Sequence, residues 1–531
     1  MKKFNTTAVC IPSKHYMVDL SDRVAEIKKM VDAGEYFTIN RARQYGKTTT
    51  LNALRITLKE SCDVISIDFQ GLGDASFRTE ESFCNGLTKL ILEENEYGLI
   101  EIPPNILDGL ENFIAVGHID NKLNDLLKLL RLWCKLSPKP LVLMIDEVDS
   151  ATNNQVFLDF LAGLREGYIN RDTKGMPAFR SVILAGVTDV KHLKSKIREE
   201  DRHKVNSPWN IAADFDIDMS LSELGIKEML NDYESDHQTG MDTGAIAKQI
   251  REYTNGYPYL VSRICQLIDE KFVPARFSSL KEAWTEYGLD EAVRVILSEK
   301  NTLFDSLTGK LINYPELKKQ LRNILLKGDT YAWLPYEPAQ QQLDMYGLIR
   351  NNHNTVAVSN RIFEMLLYTL FVGESNQNED LRQLAAASKT IFSDEEGWLD
   401  IPKIMDHFIR EHNRIHEGQT EKFLEEEGRE RFITYVAPII NGTGTYDIEP
   451  QTRDHKRMDL VIHYLGRRYI VELKIWHGDR YNEKGEKQIM EYLDRFNLKT
   501  GYMLSFNFNH KKKTGVERVV IGDKVLFEGT V

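Results

Sequence analysis

Residues 36–54, YFTINRARQYGKTTTLNAL, pass from an apolar run through a short polar loop into a stretch with helical character. The tripeptide Gly46-Lys47-Thr48 has the form that ends a phosphate-binding loop: the glycine lets backbone N–H groups approach phosphate, and the lysine reaches the β- and γ-phosphates. Thr48 would ligate Mg²⁺, and the N-terminus of the following helix would add partial positive charge. The glycine that usually opens such a loop is replaced here by Arg41.

A second apolar run, KPLVLMIDEVDS at 139–150, ends in two acids, Asp146 and Glu147. Near-continuous hydrophobicity predicts a strand buried in a parallel sheet, and ligands bind at the carboxyl ends of such strands. Asp146 would hold Mg²⁺, and Glu147 would polarise the hydrolytic water. A third apolar run, FRSVILAGVTD at 179–189, places Thr188 where a polar residue would sense the γ-phosphate. Together these features predict an ATP·Mg²⁺ site.

Near the other end of the chain, residues 458–476 read MDLVIHYLGRRYIVELKIW. Two apolar runs flank Leu465 and Gly466, which predicts a β-hairpin with these two residues as its turn. In that register Tyr464 lies opposite Arg467.

Counting outward along this ladder places Asp459 opposite Glu472, and directly opposed side chains lie about 5 Å apart. Glu472 and Lys474 are two residues apart on one strand and therefore share a face. Two carboxylates and one ammonium would thus converge on one patch. Such a patch suits a hard divalent cation and a water, the means of hydrolysing a phosphodiester. An ordinary charged strand face is the alternative interpretation of the motif in isolation.

The surroundings of the hairpin strengthen the first interpretation. A helical stretch, 421–440, precedes it and carries Glu430, and a second helix follows with Gln488 and Tyr492 on one face. This order of elements, over roughly residues 421–531, resembles the PD-(D/E)xK nuclease superfamily. The resemblance implies a role for each motif residue: metal ligation by Asp459 and Glu472, activation of water and charge stabilisation by Lys474, the additional motif of RecB-like members at Gln488 and Tyr492, and the first-helix acid at Glu430.

The N-R-x-R-x-x-G-K-T pattern at 40–48 resembles the AAA-like ATPases of bacteria that carry a C-terminal PD-(D/E)xK domain. In that family an arginine at the position of Arg41 is usual, and the resemblance adds Arg43 and Thr49 to the nucleotide site. The same family is related to archaeal-type and STAND ATPases with a GxP motif, which is similar to residues 256–258. The resemblance implies that Pro258 borders the adenine. An ordinary turn before a helix is the other interpretation of this motif.

The predicted fold class is therefore α/β: a P-loop ATPase with a parallel sheet, a helical lid and a winged-helix unit, followed by an α/β nuclease fold. The predicted domains are the ATPase core at 1–220, the lid at 221–300, the winged-helix-like unit at 301–372, a linker at 373–395 and the nuclease domain at 396–531. The winged-helix unit would either enter a DNA groove or act as an intramolecular clamp on the nucleotide.

Composition agrees with a chain of several domains that works on nucleic acid. The 531 residues carry a net charge of −12, yet residues 429–531 hold 18 Lys and Arg against 14 Asp and Glu. This local surplus makes contacts with phosphate groups possible. The predicted partners are ATP and nucleic acid, with DNA ranked above RNA, and self-association is left open. No apolar stretch is long enough for a membrane span, and five scattered cysteines suit the cytoplasm.

The sequence thus predicts an ATP-regulated nuclease dependent on Mg²⁺ or Mn²⁺, and its family neighbours suggest a role in bacterial genome or phage defence. One alternative is a STAND-like signalling switch whose nuclease fold only binds nucleic acid or a partner. Another is a motor, which requires an arginine finger acting in trans. Arg165 and Arg171 are the candidates for that finger, and structural ion pairs explain either arginine at least as well.

Overall fold

The computed structural model describes residues 2–115, 122–152, 154–187, 190, 207–326, 331–375, 392–394, 396–415, 425–440, 444–448, 460–475, 479–507 and 513–531. The chain divides into two compact units. The first comprises Met1–Ala292, Lys300–Thr308 and Pro335–Arg350, and the second comprises Val293–Glu299, Gly309–Leu334 and Asn351–Val531.

The described chain contains both helices and strands. Its strands are β1 (Lys3–Phe4), β2 (His15–Tyr16), β3 (Phe37–Asn40), β4 (Asp63–Asp68), β5 (Leu141–Asp146), β6 (Ser181–Gly186), β7 (Ile349–Asn352), β8 (Thr355–Val358), β9 (Gly444–Ile448), β10 (Leu460–Tyr464), β11 (Arg467–Ile475), β12 (Thr500–Phe506), β13 (Gly515–Ile521) and β14 (Lys524–Thr530). Its α-helices are α1 (Ser21–Ala33), α2 (Lys47–Leu58), α3 (Glu80–Glu96), α4 (Pro104–Ile114), α5 (Leu123–Leu136), α6 (Gln155–Lys174), α7 (Glu223–His237), α8 (Thr243–Thr254), α9 (Pro258–Lys271), α10 (Leu280–Ala283), α11 (Glu286–Ser298), α12 (Thr302–Asn313), α13 (Pro315–Leu326), α14 (Pro338–Met345), α15 (Arg361–Ser375), α16 (Ile401–Ile415), α17 (Glu425–Ile440) and α18 (Asp479–Arg495). Across the described residues, none of these helices combines the length and apolarity needed to cross a bilayer.

A four-stranded parallel sheet in the order β3-β6-β5-β4 forms the centre of the first unit. Strand β5 is buried on both faces: Leu143 and Ile145 belong to one apolar cluster, and Val142 and Met144 belong to another. Helices α3, α5 and α6 supply the first cluster, and α1 and α2 supply the second. Burial on both faces is the physical reason why this strand is continuously apolar. The predicted buried parallel strand and the α/β class are confirmed.

The region predicted as a winged-helix unit contains helices α12, α13 and α14, the hairpin of β7 and β8, and most of α15. Helix α14 belongs to the first unit, whereas α13 belongs to the second. The winged-helix assignment therefore stays a prediction, as do the predicted domain boundaries.

A six-stranded mixed sheet in the order β13-β14-β12-β11-β10-β9 forms part of the second unit. Strands β11, β12 and β14 run parallel, and β9, β10 and β13 pair antiparallel with their neighbours. Tyr464 lies opposite Arg467, as the sequence predicts. The turn residues Leu465 and Gly466 have φ angles of 49° and 79°. Positive φ at both central residues is the requirement of a two-residue type I′ hairpin, so the predicted turn is confirmed.

This turn leads to a stability prediction. Leu465 is exposed and gains little from burial, while its left-handed backbone disfavours a large side chain. Replacing Leu465→Asn should stabilise the protein by about 0.5–1 kcal/mol, because asparagine adopts this conformation readily and Asn-Gly is the preferred type I′ pair. Urea unfolding would measure the change, with Leu465→Ala as the control for loss of the side chain. A midpoint no higher than that of the alanine variant would contradict the prediction.

Candidate functional site

The phosphate-binding loop connects β3, which ends at Asn40, to α2, which begins at Lys47. Gly46 caps this helix with φ 80° and ψ 18°. Only glycine adopts that left-handed conformation without steric cost. A methyl group there would also contact the Pro258 ring at 3.9 Å. Gly46 thus brings the free N–H groups of the first helical turn to the carboxyl edge of the parallel sheet.

The Lys47 side chain folds back over the loop. Its Nζ donates hydrogen bonds to the carbonyl oxygens of Arg41 at 3.0 Å and Ala42 at 3.1 Å, and the residue is 5% exposed. Burial lowers the pKa of Lys47, and the negative charges of Glu147 and Asp149 oppose that shift. The ammonium therefore lies inside the loop beside the acids of the neighbouring strand, where phosphate oxygens would replace the two carbonyl groups.

Thr48 and Asp146 meet at the start of α2. The Thr48 hydroxyl donates to Asp146 Oδ2 at 2.6 Å, and Asp146 Oδ1 accepts the Glu147 backbone N–H at 2.9 Å. Burial raises the pKa of Asp146. A hydroxyl and a carboxylate are the protein ligands that Mg²⁺ uses together with nucleotide phosphates. These residues therefore fit the predicted Mg²⁺ site of the nucleotide.

Two further acids, Glu147 and Asp149, lie at this edge of the sheet. The sequence motif predicts only Glu147 as a site residue. Glu147 is half-buried, has a φ of 52°, and has its pKa raised mainly by burial. Asp149 accepts the Val187 backbone N–H at 2.8 Å and so fixes the chain just after β6. The D-E-x-D spacing was the available signal for Asp149. Thr188, the predicted γ-phosphate sensor, lies outside the described residues.

Arg41, which replaces the first glycine, has a side chain anchored by hydrogen bonds to backbone carbonyl groups. Its Nη2 donates to the carbonyl oxygens of Phe215 at 3.3 Å and Ile217 at 2.9 Å. The guanidinium also lies over the Phe215 ring, 5.3 Å from its centroid. The Arg41 side chain therefore ties the loop to a segment that is distant in the sequence. No local signal in the sequence reveals this anchor.

The other predicted nucleotide residues have structural contacts as well. Thr49 Oγ1 accepts the Cys10 backbone N–H at 3.2 Å, which ties the N-terminal segment to α2. Arg43 has an exposed side chain, and its carbonyl oxygen accepts the Tyr257 hydroxyl. The Tyr257 ring is 2% exposed and meets Tyr45 edge-on at 4.8 Å. The Gly-Tyr-Pro motif is thus packed against the phosphate-binding loop.

Arg171 fills a structural role. It donates to the carbonyl oxygens of Gly34 at 3.0 Å and Arg180 at 3.1 Å, and it lies over the Tyr168 ring. These contacts support the structural interpretation over an arginine finger at this position.

In the second unit, Glu472 and Lys474 share one face of β11. Lys474 Nζ lies 2.9 Å from Glu472 Oε1, and the two side chains are 15% and 0% exposed. Ile470, on the same face, packs in a cluster with Tyr492 of α18. Sheet and helix therefore enclose a carboxylate and an ammonium together.

Helix α18 brings the additional predicted pair to this face. Gln488 Nε2 donates to the Tyr492 hydroxyl at 3.1 Å, and Tyr492 is 1% exposed. The parallel register places Ser505 of β12 beside Lys474, and Ser505 is buried. Ser505 is one polar residue in an otherwise apolar run, so no sequence motif indicates its place at this site.

Some predicted residues of this site cannot be placed. Asp459 lies outside the described residues, and Glu430 lies on α17 with a side chain that is also outside them. Within the described ranges, no cluster of three or more His, Cys, Asp and Glu side chains is arranged to hold a metal. Of the two predicted metal-binding carboxylates, Glu472 is the one whose position is described. The convergence of Asp459 with Glu472 stays a prediction.

Two known families match the regions of the chain that contain these residues. The model of an AAA-like domain matches residues 5–369, and the model of the PD-(D/E)XK nuclease superfamily matches residues 446–519. The first match includes the phosphate-binding loop and its acids, and the second includes β11 and α18. No curated protein matches the chain.

Solved structures of archaeal origin are similar to the chain. A Walker-type ATPase of Pyrococcus abyssi is 13% identical over 68% of this chain and 99% of its own, with a TM-score of 0.46. CDC6P from Pyrobaculum aerophilum is 13% identical over 70% of this chain and 97% of its own, with a TM-score of 0.34. The Aeropyrum pernix ORC1 protein in complex with DNA is 10% identical over 66% and 92%, with a TM-score of 0.30. At these TM-scores the likenesses support no further statement about this chain.

Proposed function

Because this chain belongs to the AAA-like domain family and carries a PD-(D/E)XK nuclease-superfamily domain, we propose that it is a nucleotide-regulated, metal-dependent nuclease. The observation that carries the nuclease part is the Glu472–Lys474 ion pair, in which the carboxylate is fully buried. Two opposite charges in such a place are costly unless they have a task or a well-fitted structural role. Clefts that hold desolvated charges of this kind are candidate functional sites.

The reaction is hydrolysis of a phosphodiester, in which water attacks phosphorus and the P–O bond to the leaving group breaks. Glu472 would supply a carboxylate ligand for a divalent cation, Mg²⁺ or Mn²⁺, with Asp459 as the second proposed ligand. A cation bound there would supply Lewis-acid activation of water. Lys474, whose Nζ already lies 2.9 Å from Glu472, would stabilise the negative charge that develops on the phosphoryl oxygens. Gln488 and Tyr492 would orient this group of residues from α18.

The nucleotide part of the proposal rests on the Thr48–Asp146 contact and on Lys47 inside the loop. ATP would take over the hydrogen bonds that Lys47 now donates to the loop carbonyl groups. Glu147, at the carboxyl edge of the sheet, would polarise the water that hydrolyses ATP. Arg43, Thr49, Thr188 and Pro258 complete the proposed nucleotide site. Nucleotide state would then set the activity of the nuclease domain.

Polynucleotide is the proposed substrate, with DNA favoured over RNA, and bacterial genome or phage defence is the proposed setting. The surplus of basic residues between 429 and 531 supports an anionic partner. Self-association and a cytoplasmic location are part of the same proposal.

A cleavage panel tests the proposal. Supercoiled plasmid, linear duplex, single-stranded DNA and RNA would each be incubated with Mg²⁺, Mn²⁺ or EDTA, with and without ATP. We expect cleavage of at least one substrate in Mg²⁺ or Mn²⁺, loss of cleavage in EDTA, and a rate that depends on ATP. Binding without cleavage under every condition would instead favour the signalling switch.

A further inference from the structure

A tight turn at the end of α14 contacts the phosphate-binding loop from outside. The Gly347 N–H donates to the Asp344 carbonyl at 2.8 Å, and the Leu348 N–H donates to the Leu343 carbonyl at 2.9 Å. Gly347 has a φ of 72°, a backbone conformation that only glycine adopts readily. These two hydrogen bonds end α14 and form a turn of residues 343–348, the Gly347 turn.

The turn packs so closely against Ala42 that a side chain at Gly347 would clash with it. A methyl group on Gly347 would lie 2.6 Å from Ala42 Cβ and 3.8 Å from Tyr257 Cε2. The first distance is far below any ordinary contact between carbon atoms, which lies near 3.5–4.0 Å. The absence of a side chain at Gly347 is therefore what allows this approach.

Ala42 belongs to the part of the loop that binds the Lys47 side chain. Its carbonyl oxygen is one of the two that hold Lys47 Nζ, and the adjacent Arg43 carbonyl accepts the Tyr257 hydroxyl. Nucleotide phosphates would draw the Lys47 ammonium away from Ala42. The Gly347 turn thus contacts the part of the loop whose hydrogen bonds must change when nucleotide binds.

The chain on either side of the turn leads to the second unit. Pro335–Arg350 belongs to the first unit, whereas Gly309–Leu334 before it and Asn351–Val531 after it belong to the second, which contains Glu472 and Lys474. The turn therefore lies in a segment of the first unit whose two ends are both joined covalently to the second unit.

We propose that the Gly347 turn is a positioning element of the phosphate-binding loop, and that it couples nucleotide binding to the second unit. Close-packed contacts switch between discrete arrangements instead of deforming gradually, so the Ala42–Gly347 contact suits a coupling element. By linkage, if nucleotide binding changes the conformational equilibrium of the turn, a change of that equilibrium imposed by the second unit must in turn change nucleotide affinity. The consequence for nuclease activity rests on the proposed function; the effect on nucleotide affinity does not.

A set of glycine variants tests this coupling by calorimetric titration with ATP. Gly347→Ala should weaken ATP binding about tenfold, within the usual range of coupling between sites. Gly175→Ala is the matched control: Gly175 also ends a helix with a positive φ of 63°, but nothing lies within 4 Å of a methyl group there. It should change the affinity less than about twofold, because it tests backbone strain without the contact.

A double-variant cycle separates packing from other effects. Ala42→Gly removes the methyl group that a new side chain at Gly347 would strike. The double variant Ala42→Gly with Gly347→Ala should therefore bind ATP more tightly than the summed effects of the single variants require. Additive effects, or unchanged affinity in Gly347→Ala, would overturn the proposal.

Hydrogen exchange on the unaltered protein gives an independent test that does not depend on the variants folding. ATP should change the exchange of the Gly347 and Leu348 amides, whose hydrogen bonds form the turn, and leave the Gly175 amide unchanged. Identical exchange at the turn with and without ATP would refute the coupling. A protein without nuclease activity would defeat the proposed function while leaving both binding tests able to decide this inference.

Discussion

Replacing Glu472→Gln is expected to reduce metal-dependent cleavage about a thousandfold or more, because the substitution keeps the shape of the side chain and removes its charge. Glu472 is fully buried, and its charge is balanced by Lys474 Nζ at 2.9 Å. A neutral amide is a poor ligand for a hard cation and leaves the ammonium without its opposite charge. Initial rates of plasmid cleavage, measured at saturating Mg²⁺ or Mn²⁺, would determine the effect.

The control for this variant is Glu517→Gln. Glu517 lies in the same sheet, forms an ion pair with Lys513, and has a side chain that is 61% exposed. Exposed pairs of this kind contribute little to stability, so this variant should cleave like the unaltered protein. Equal rates for the Glu472 and Glu517 variants would remove Glu472 from the reaction.

A structural ion pair is the main rival explanation for Glu472 and Lys474, and a double variant distinguishes the two. Breaking one side of a buried pair is costly, whereas replacing both charges with neutral groups is often tolerated. Glu472→Gln combined with Lys474→Met should recover thermal stability relative to either single variant. Cleavage should stay lost if the pair is catalytic. A stable double variant that still cleaves would show a structural pair.

Replacing Lys47→Ala is expected to weaken ATP binding about a hundredfold or more, which corresponds to about 2.7 kcal/mol. Lys47 is the buried cation of the phosphate-binding loop, and an ammonium in such a place makes charge-assisted hydrogen bonds to phosphate. Calorimetric titration with ATP and Mg²⁺ would determine the dissociation constant. Circular dichroism would establish that the sheet is intact.

The matched control is Lys28→Ala. Lys28 lies on α1 of the same unit and pairs with Asp32 at the surface at 2.6 Å. Its loss should leave the affinity for ATP within about twofold of the original value, because exposed charges are screened by salt. An affinity that is the same for both variants would refute the nucleotide site at Lys47.

Where local rules govern a feature, the sequence predicts it correctly. The register of β10 and β11 follows from alternation of apolar residues and a two-residue turn, and it is observed between Tyr464 and Arg467. The meeting of Thr48 with Asp146 links residues far apart in sequence. It was still predictable, because parallel strands of one sheet bring their carboxyl ends to a common edge.

Contacts that depend on tertiary packing could not be predicted. Nothing near Arg41 indicates that its guanidinium reaches the carbonyl groups of Phe215 and Ile217. Nothing near Gly347 indicates that it lies against Ala42, about three hundred residues earlier in the chain. The positions of Ser505 and Asp149 at the two sites could not be predicted, because they depend on the neighbouring strand and not on the local sequence. Asp459 and Thr188 stay predictions.

The anchored Arg41 has a consequence for how long nucleotide stays bound. A loop built on flexible glycines loses conformational entropy when phosphate orders it. In this protein that ordering occurs during folding, through the bonds from Arg41 to Phe215 and Ile217. A receptor that is rigid before its ligand arrives gains affinity chiefly through slower dissociation. We therefore expect the bound nucleotide to dissociate slowly. Slow dissociation suits a nucleotide-dependent switch better than an ATP-driven motor.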